Sequence, residues 1–289
     1  MKTVYAALTF LILLANSAQA QANSFEILTP QVEQGGTAIA RIIPQFQGPL
    51  VCLSVFGNQY VPNKKGFVVI GVKADAEPTK NMPNKYLVLM IECGRGVRLN
   101  WDYEEIEVLE GKFEKTRTAA FTGKPQPRKD RQKTAIDGAF SQENMLVYDL
   151  TLDSFYTDPM NLARDVIDPY GYIYKNNPTL FHTGSDLRAP VGNIVKAVNR
   201  GKVVLVAKRF KREGNMIIIN HGLGIFSVYM HLSKMNVKKG AIVEKGQYIG
   251  LSGKTGAGVR EPHLHFNIRI KDTYVDPLKF IDTIDRYLP

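Results

Sequence analysis

Short apolar runs separated by turn-forming residues fill most of the chain. Between residues 24 and 110 the runs are TAIARII, LVCLSVF, GFVVIGV, YLVLMIEC and EEIEVLE. Frequent turns between short apolar runs are typical of β-strands that pair with their neighbours in sequence. The pattern predicts a β-sandwich over residues 21–110.

A second group of apolar runs begins at about residue 168. Its predicted strands are VVLVAKRF, MIIINHG, IFSVYMHL, YIGLSG and HLHFNIRI, with glycine at nearly every junction. Strands do not alternate with long helical patterns, and no internal repeat is visible, so we expect a second, mostly antiparallel β domain over residues 168–289.

The connection between these two groups, residues 111–167, has a different composition. Residues 111–135 hold eight Lys or Arg against two acidic residues and few large apolar side chains. This composition predicts a basic linker or an extended arm, and a segment that binds an anionic polymer is the alternative. Residues 141–164 are ambiguous, with a short helix possible in their first part.

The first twenty residues have the pattern of an export signal. Lys2 precedes an apolar run from Val4 to Ala15, and Ala18-Gln19-Ala20 matches a small-x-small cleavage site. We predict cleavage after Ala20, with an uncleaved membrane anchor as the alternative. No later run is long and apolar enough for a membrane span, so none is expected once the signal is removed.

A net charge of +10 indicates acidic partners. Nucleic acid, anionic lipid and an anionic wall polymer all qualify, but the basic residues are dispersed and carry no nucleic-acid-binding motif. We therefore expect no nucleic-acid partner.

The two cysteines, Cys52 and Cys93, lie in strand-like runs. An oxidising compartment would permit a disulfide between them, and two buried thiols are the alternative. Trp101 follows both cysteines, so the Cys–Trp–Cys order of antibody domains is absent. "Immunoglobulin-like" therefore describes only the expected architecture of the N-terminal sandwich.

All five histidines lie between residues 182 and 265. His263 and His265 are two apart in a predicted strand and should share one face. His182 and Asp186 are four apart, with Gly184 allowing a tight loop between them. Four zinc ligands from these two pairs would make a closed structural site, whereas three would leave a position open for catalysis. The spacing alone does not choose between the two.

Three ordered motifs resemble those of the M23 peptidases, the lysostaphin- or LytM-type zinc endopeptidases of bacterial cell walls. They are F-H-T-G-S-D-L, Y-M-H-L, and S-G-K-T-G followed by P-H-L-H-F, and the likeness extends over residues 169–289 to the closing V-D-P-L. The resemblance implies a LytM-type antiparallel β-sheet of the duplicated-hybrid-motif kind and one Zn²⁺ per chain. It also implies that His182, Asp186 and His265 hold the zinc, with His231 and His263 as catalytic residues beside it.

Other residues near the motifs receive separate interpretations. His221 matches a family position outside the metal shell, and we expect it to be structural. Tyr229, two residues before His231 in a predicted strand, is a candidate substrate-binding residue, with packing as the alternative. Asn220 and Asn267 stand where many relatives carry acidic residues, and G-Y-I-Y departs from the arginines found there in many relatives. These departures affect the expected groove shape and not the metal ligands.

The resemblance implies an endopeptidase that hydrolyses peptide cross-links of peptidoglycan. The predicted signal peptide implies export, and we expect the periplasm or cell envelope in preference to the extracellular medium. The alternative is a non-catalytic LytM-like module that binds and activates a wall amidase. All five expected site positions are present, which favours the enzyme. We also expect the N-terminal domain or part of residues 111–165 to cover the zinc site.

Overall fold

The computed structural model describes residues 23–47, 51–96, 98–113, 130–141, 157–160, 164–173 and 181–289. The predicted signal peptide and most of the predicted linker lie outside these ranges. No helix in the described ranges is long and apolar enough to cross a membrane.

The first unit consists of two sheets that share one core. Its strands are β1 (Phe25–Ile27), β2 (Gln31–Glu33), β3 (Thr37–Ile42), β4 (Val51–Val55), β5 (Asn58–Tyr60), β6 (Phe67–Gly71), β7 (Tyr86–Glu92) and β8 (Arg98–Leu109). The sheets have the orders β1-β3-β6 and β2-β8-β7-β4-β5, and all pairs are antiparallel except β2 with β8. Ile39 and Ile70 of one sheet join Leu53 and Ile106 of the other in a common apolar cluster. The five apolar runs of this region are all strands, as their pattern predicts.

A disulfide joins Cys52 on β4 to Cys93 just after β7, with Cα atoms 5.2 Å apart. Strands β4 and β7 are neighbours in one sheet, with Cys52 opposite Ile91. The bond therefore lies within a sheet, whereas the disulfide of antibody domains joins the two sheets.

The second unit is built on an eight-stranded antiparallel sheet. Its strands in chain order are β9 (Val166–Asp168), β10 (Ser185–Arg188), β11 (Ile194–Lys196), β12 (Gly201–Phe210), β13 (Gly214–Asn220), β14 (Ile225–Met230), β15 (Lys234–Met235), β16 (Ile242–Val243), β17 (Tyr248–Leu251), β18 (His263–Ile270) and β19 (Thr273–Val275). The large sheet has the order β16-β12-β13-β14-β18-β10-β9, with β19 also paired to β18, and β11-β17-β15 form a small second sheet.

Two helices pack against the second unit. Helix α2 (Pro277–Tyr287) begins at Asp276, whose side chain accepts hydrogen bonds from the backbone of Leu278 and Lys279, and Pro277 fits the first helical position. The V-D-P-L motif is thus a helix start. Helix α1 (Asp130–Ala139) lies within the connection 111–167 and overlaps the end of its basic part, residues 111–135. It differs from an extended arm because Ile136 and the following Phe140 bury their side chains against the large sheet.

The two units are packed together at the end of β18 that is far from His263. A Cβ on Gly71 of β6 would lie 3.2 Å from Ile270, so the backbone of the first unit closely approaches that strand. The turn after β18 is held by Asp272, which accepts a hydrogen bond from Asn58 at 2.9 Å and pairs with Lys73 at 3.0 Å. The first unit therefore contacts the end of β18, several residues along the strand from the histidine pair.

Candidate functional site

Strand β18 forms the floor of a cleft at its N-terminal end. His263 and His265 point to one face of the sheet, as their spacing predicts, and both line the cleft. Leu264 between them points to the opposite face and is fully buried in the core. Strand geometry alone therefore places two imidazoles side by side.

Neighbouring elements bring a carboxylate and a third imidazole to this pair. Asp186 on β10 lies opposite His265 in the antiparallel register, with its Oδ1 atom 2.7 Å from His265 Nδ1. His182 Nε2 lies 3.3 Å from the same oxygen and 3.0 Å from His265 Nδ1. Gly184 makes this approach possible, because a Cβ there would lie 2.5 Å from Asn267 Oδ1.

These three side chains could hold a metal ion. Two imidazole nitrogens and a carboxylate oxygen are donors that zinc accepts, and tetrahedral bonds of about 2.0–2.1 Å place such donors roughly 3.3 Å apart. The donor atoms of His182, Asp186 and His265 are 2.7 to 3.3 Å apart, so movements of tenths of an ångström would admit the ion. The donor set fits a three-ligand site.

Backbone carbonyls fix the tautomers of three histidines. His182 Nδ1 donates to Pro169 O at 3.0 Å, His231 Nδ1 donates to Thr255 O at 2.9 Å, and His263 Nδ1 donates to Glu261 O at 2.9 Å. A carbonyl can only accept, so each neutral ring carries its proton on Nδ1 and keeps a lone pair on Nε2. For His182, that lone pair is available to a metal.

His231 and His263 form a second pair of imidazoles within the cleft. Their ring centroids are 4.9 Å apart, and the centroid of His231 is 5.8 Å from that of His265. His231 follows the last residue of β14 and has a φ of 64°, in the left-handed region. This conformation ends the predicted strand at Met230 and turns the His231 side chain into the cleft.

Burial and charge set opposite protonation tendencies in the site. Burial, reinforced by His265 and His263, lowers the pKa of His231 to about 3. Burial opposes ionisation of Asp186, but the two histidines beside it outweigh this effect and hold its pKa well below the ordinary value. Burial likewise acts to lower the pKa of His182, and the Asp186 carboxylate outweighs it, so that this pKa is raised. The site thus combines an ionised carboxylate with a neutral His231.

Tyr229 does not lie in the cleft, contrary to the expectation that it faces the same side as His231. Its side chain is fully buried, and its hydroxyl accepts a hydrogen bond from the backbone N–H of Val198 at 3.0 Å. The alternation assumed for the strand stops at Met230, so counting two residues back from His231 selects the wrong face. Met230 lines the cleft instead.

His221 is also outside the cleft, as expected. Its Nδ1 donates to Arg200 O at 2.8 Å, and its Nε2 is hydrogen-bonded to Ser227 Oγ at 2.7 Å. Burial lowers the pKa of His221 to about 4, so the ring is neutral near pH 7. It is a structural residue of the core.

The cleft has a volume of about 380 Å³ and further polar walls that the sequence did not indicate. Asp168 on β9 is paired in register with Asp186. Burial is the main cause that raises the pKa of Asp168, and the neighbouring Asp186 carboxylate adds to it. Arg212 and Arg260 line the cleft as well. No short-range motif marks these residues, because they lie on separate elements that meet only in the fold.

The described residues that line this cleft all fall between Ile167 and Tyr274. In the described ranges, neither the first unit nor helix α1 covers the histidines, although α1 lies on the same sheet face and contacts Met230 through the cluster around Phe140. Most of the segment expected to cover the site is outside the described residues.

Comparison with known proteins gives matches to this unit. The model of Peptidase family M23 matches residues 180–277. Peptidoglycan DD-endopeptidase ShyB of Vibrio cholerae is 40% identical over 98 residues, which are 34% of this chain and 22% of that protein. DD-carboxypeptidase/endopeptidase Mpg of Neisseria meningitidis is 35% identical over 128 residues, 43% of this chain and 28% of that protein. The chain thus spans less than a third of these relatives.

Among solved structures, a candidate M23 peptidase from Pseudomonas aeruginosa is similar over most of the chain. It has a TM-score of 0.56 and 25% sequence identity, and the match covers 86% of this chain and 94% of that one.

Proposed function

We propose that this chain, whose residues 180–277 belong to Peptidase family M23, is an exported zinc endopeptidase that hydrolyses peptide cross-links of peptidoglycan. One observation carries the proposal: the donor atoms of His182, Asp186 and His265 meet beside two further imidazoles in one open cleft. Relatives named as peptidoglycan DD-endopeptidases support the substrate class.

In this proposal His182, Asp186 and His265 hold one Zn²⁺. When bound, zinc supplies Lewis acidity, which polarises a carbonyl and lowers the pKa of water toward about 7. Three protein ligands leave a position open, as catalytic zinc sites require. The hydrogen bond from His182 Nδ1 to Pro169 O orients this ring and leaves Nε2 as the nitrogen that would bind the metal.

His231 and His263 are the proposed proton-handling residues. Each donates from Nδ1 to a backbone carbonyl, so each presents an Nε2 lone pair that can take a proton from attacking water. The resulting N–H can then stabilise negative charge on the substrate oxygen or protonate the leaving amine. Burial lowers the pKa of His231, so its ring is neutral at pH 7 and its Nε2 carries no proton before the reaction.

The presence of all five residues supports an enzyme over a binding module that activates a wall amidase. Two hydrogen bonds hold His231 in place, one from its backbone N–H to Glu213 O at 3.0 Å and one from its Nδ1 to Thr255 O. A binding module would not need an imidazole fixed in this way.

A digestion experiment tests the proposal. The purified protein is incubated with cross-linked peptidoglycan, with zinc or with a chelator, and the fragments are identified by mass spectrometry. We expect cross-linked dimers to fall to monomers only with zinc. His231→Ala should retain zinc and lose about 10²- to 10⁴-fold in rate, as expected for loss of a general acid–base group. If the zinc-loaded protein leaves the cross-links intact, a binding role replaces the enzyme.

A further inference from the structure

The proposed metal ligand His182 is held by a turn that follows β9 and spans residues 169–172. Tyr172 N donates to Pro169 O at 3.3 Å, which closes the turn. Gly171 has a φ of 80°, the left-handed conformation that the third position of a type II turn requires. Pro169 O also accepts the hydrogen bond from His182 Nδ1 at 3.0 Å. The orientation of this ring therefore depends on where the turn lies.

Two backbone hydrogen bonds also join the turn to His182. Gly171 N donates to His182 O at 2.8 Å, and His182 N donates to Tyr172 O at 2.9 Å. Three hydrogen bonds thus connect the turn to a single residue, two through its backbone and one through its ring. A displacement of the turn would carry His182 with it.

Tyr170 anchors this turn to the rest of the second unit. Its side chain is only 6% exposed, and its hydroxyl donates to Tyr274 O on β19 at 2.8 Å. Its ring makes an edge contact with Phe181, the residue before His182, with ring centroids 6.3 Å apart. Aromatic pairs are favourable at separations of about 4.5–7 Å. The residues that line the cleft do not include Tyr170, so it acts on the metal site only through its neighbours.

Tyr170 also packs against the first unit. Gly35, between β2 and β3, approaches so closely that a Cβ there would lie 2.4 Å from Tyr170 Cε1. Phe113, which follows β8, makes an edge contact with the same ring, with centroids 6.4 Å apart. Asp276 N donates to Gly35 O at 2.8 Å, which bonds this part of the first unit to the start of α2. The first unit therefore contacts the side chain that anchors the turn at His182.

We infer that Tyr170 is a positioning residue through which the first unit supports the proposed zinc site. The inference rests on the proposed function and extends it to residues outside the family match at 180–277. Packing of Gly35 and Phe113 on Tyr170 holds the turn, and the turn holds the His182 ring with Nε2 near Asp186. A residue that orients a metal ligand changes metal affinity when it is removed, although it does not touch the ion.

Zinc dissociation constants, measured on the full chain by competition with a chelator, test the inference. Tyr170→Ala should weaken zinc binding by about 10- to 100-fold, the range for loss of a residue that orients a metal ligand. Tyr170→Phe keeps the ring and its packing and should retain most of the affinity. Phe113→Ala alters only the first-unit side of the contact and should weaken zinc binding by a smaller factor than Tyr170→Ala.

A second readout reports the geometry of the ligands directly. Co²⁺ takes the place of zinc, and its visible absorption depends on the arrangement of the donor atoms. The spectrum should change in Tyr170→Ala and stay the same in Tyr170→Phe. Tyr229→Phe is the control, because it also alters a buried tyrosine whose hydroxyl bonds to the backbone, but outside the cleft and the turn. It should lower stability and leave both zinc affinity and the Co²⁺ spectrum unchanged.

The outcomes separate the inference from the proposed function. Unchanged zinc affinity in Tyr170→Ala, or an equal loss in Tyr229→Phe, would overturn the role of Tyr170 and leave the proposed function standing. Unchanged affinity in Phe113→Ala would overturn the support by the first unit, and this variant decides the matter if Tyr170→Ala does not fold. Failure of the unaltered protein to bind zinc would instead refute the proposed function, and the inference with it.

Discussion

Asp186 and His265 lie directly opposite each other on neighbouring antiparallel strands, with Asp186 Oδ1 2.7 Å from His265 Nδ1. Side chains at directly opposed positions of an antiparallel pair point to the same face. The register of β10 on β18 therefore joins two motifs that are 79 residues apart in sequence. A metal site of this kind depends on sheet register as much as on residue type.

Asp186→Asn should remove zinc binding without unfolding the protein. The neutral amide is a poor zinc donor, so we expect zinc affinity to fall by more than about 100-fold. Mutation of a residue that only hydrogen-bonds to a metal ligand already lowers metal affinity by about 10- to 100-fold. Metal content after dialysis measures this directly. A second readout is thermal unfolding: zinc should raise the Tm of the unaltered protein and not that of the variant.

The matched control for that variant is Asp285→Asn, which removes an exposed carboxylate of α2. It should bind zinc like the unaltered protein. Retention of stoichiometric zinc by Asp186→Asn after dialysis would remove Asp186 from the proposed ligand set.

Tyr229→Phe should reduce stability and leave catalysis intact. The buried N–H of Val198 would lose its acceptor, and an unsatisfied buried donor costs about 1–3 kcal/mol. Urea unfolding should show this loss, while kcat/KM on a cross-linked peptide stays within about twofold, because the hydroxyl faces away from the cleft. A large drop in activity at unchanged stability would instead place Tyr229 with the substrate.

Local sequence patterns predicted many strands of the fold and part of the candidate site. The run HLHFNIRI coincides with β18, and the two-residue spacing of His263 and His265 was enough to place both on one face. The residues alone suggested that the two pairs could join in one zinc site, but the choice of His265 as the ligand came from the family resemblance. Strand register between distant segments is not encoded in either segment alone.

The misplacement of Tyr229 has a specific physical origin. Period-two counting assumes extended backbone, and His231 adopts a left-handed φ that breaks the period. Arg212 and Arg260 were not predicted for another reason: they lie on separate loops that meet only in the fold, where Gly214 and Gly256 permit close backbone contact. Helix α1 was not predicted because it lies in a basic segment with few apolar residues. Its buried apolar side chains, with that of the residue after it, are only Ile136, Ala139 and Phe140.

Loss of the Cys52–Cys93 disulfide should destabilise the first unit. The bond closes a segment with a sequence separation of 41, for which the entropy lost by the unfolded chain corresponds to about 4 kcal/mol, with measured effects typically 2–4. Urea unfolding of a Cys52→Ala, Cys93→Ala double variant should show this loss. Reductant should destabilise the unaltered protein by a similar amount and leave the double variant unchanged; equal sensitivity of the two would contradict the pairing.

His221 should make stability depend on pH. Its pKa is about 4 in the folded protein and about 6.5 when unfolded, so the unfolded state binds more protons between these values. The contribution to stability is complete above pH 6.5 and is lost as the pH falls toward 4. Between pH 7 and pH 5 the loss is about 2 kcal/mol.

Other buried groups also titrate, so the effect is isolated by comparing the unaltered protein with His221→Asn at both pH values. The variant should be less stable at pH 7, because it loses the hydrogen bonds to Arg200 O and Ser227 Oγ, and should lose about 2 kcal/mol less on acidification. Parallel losses in both proteins would mean that folding does not lower the pKa of His221.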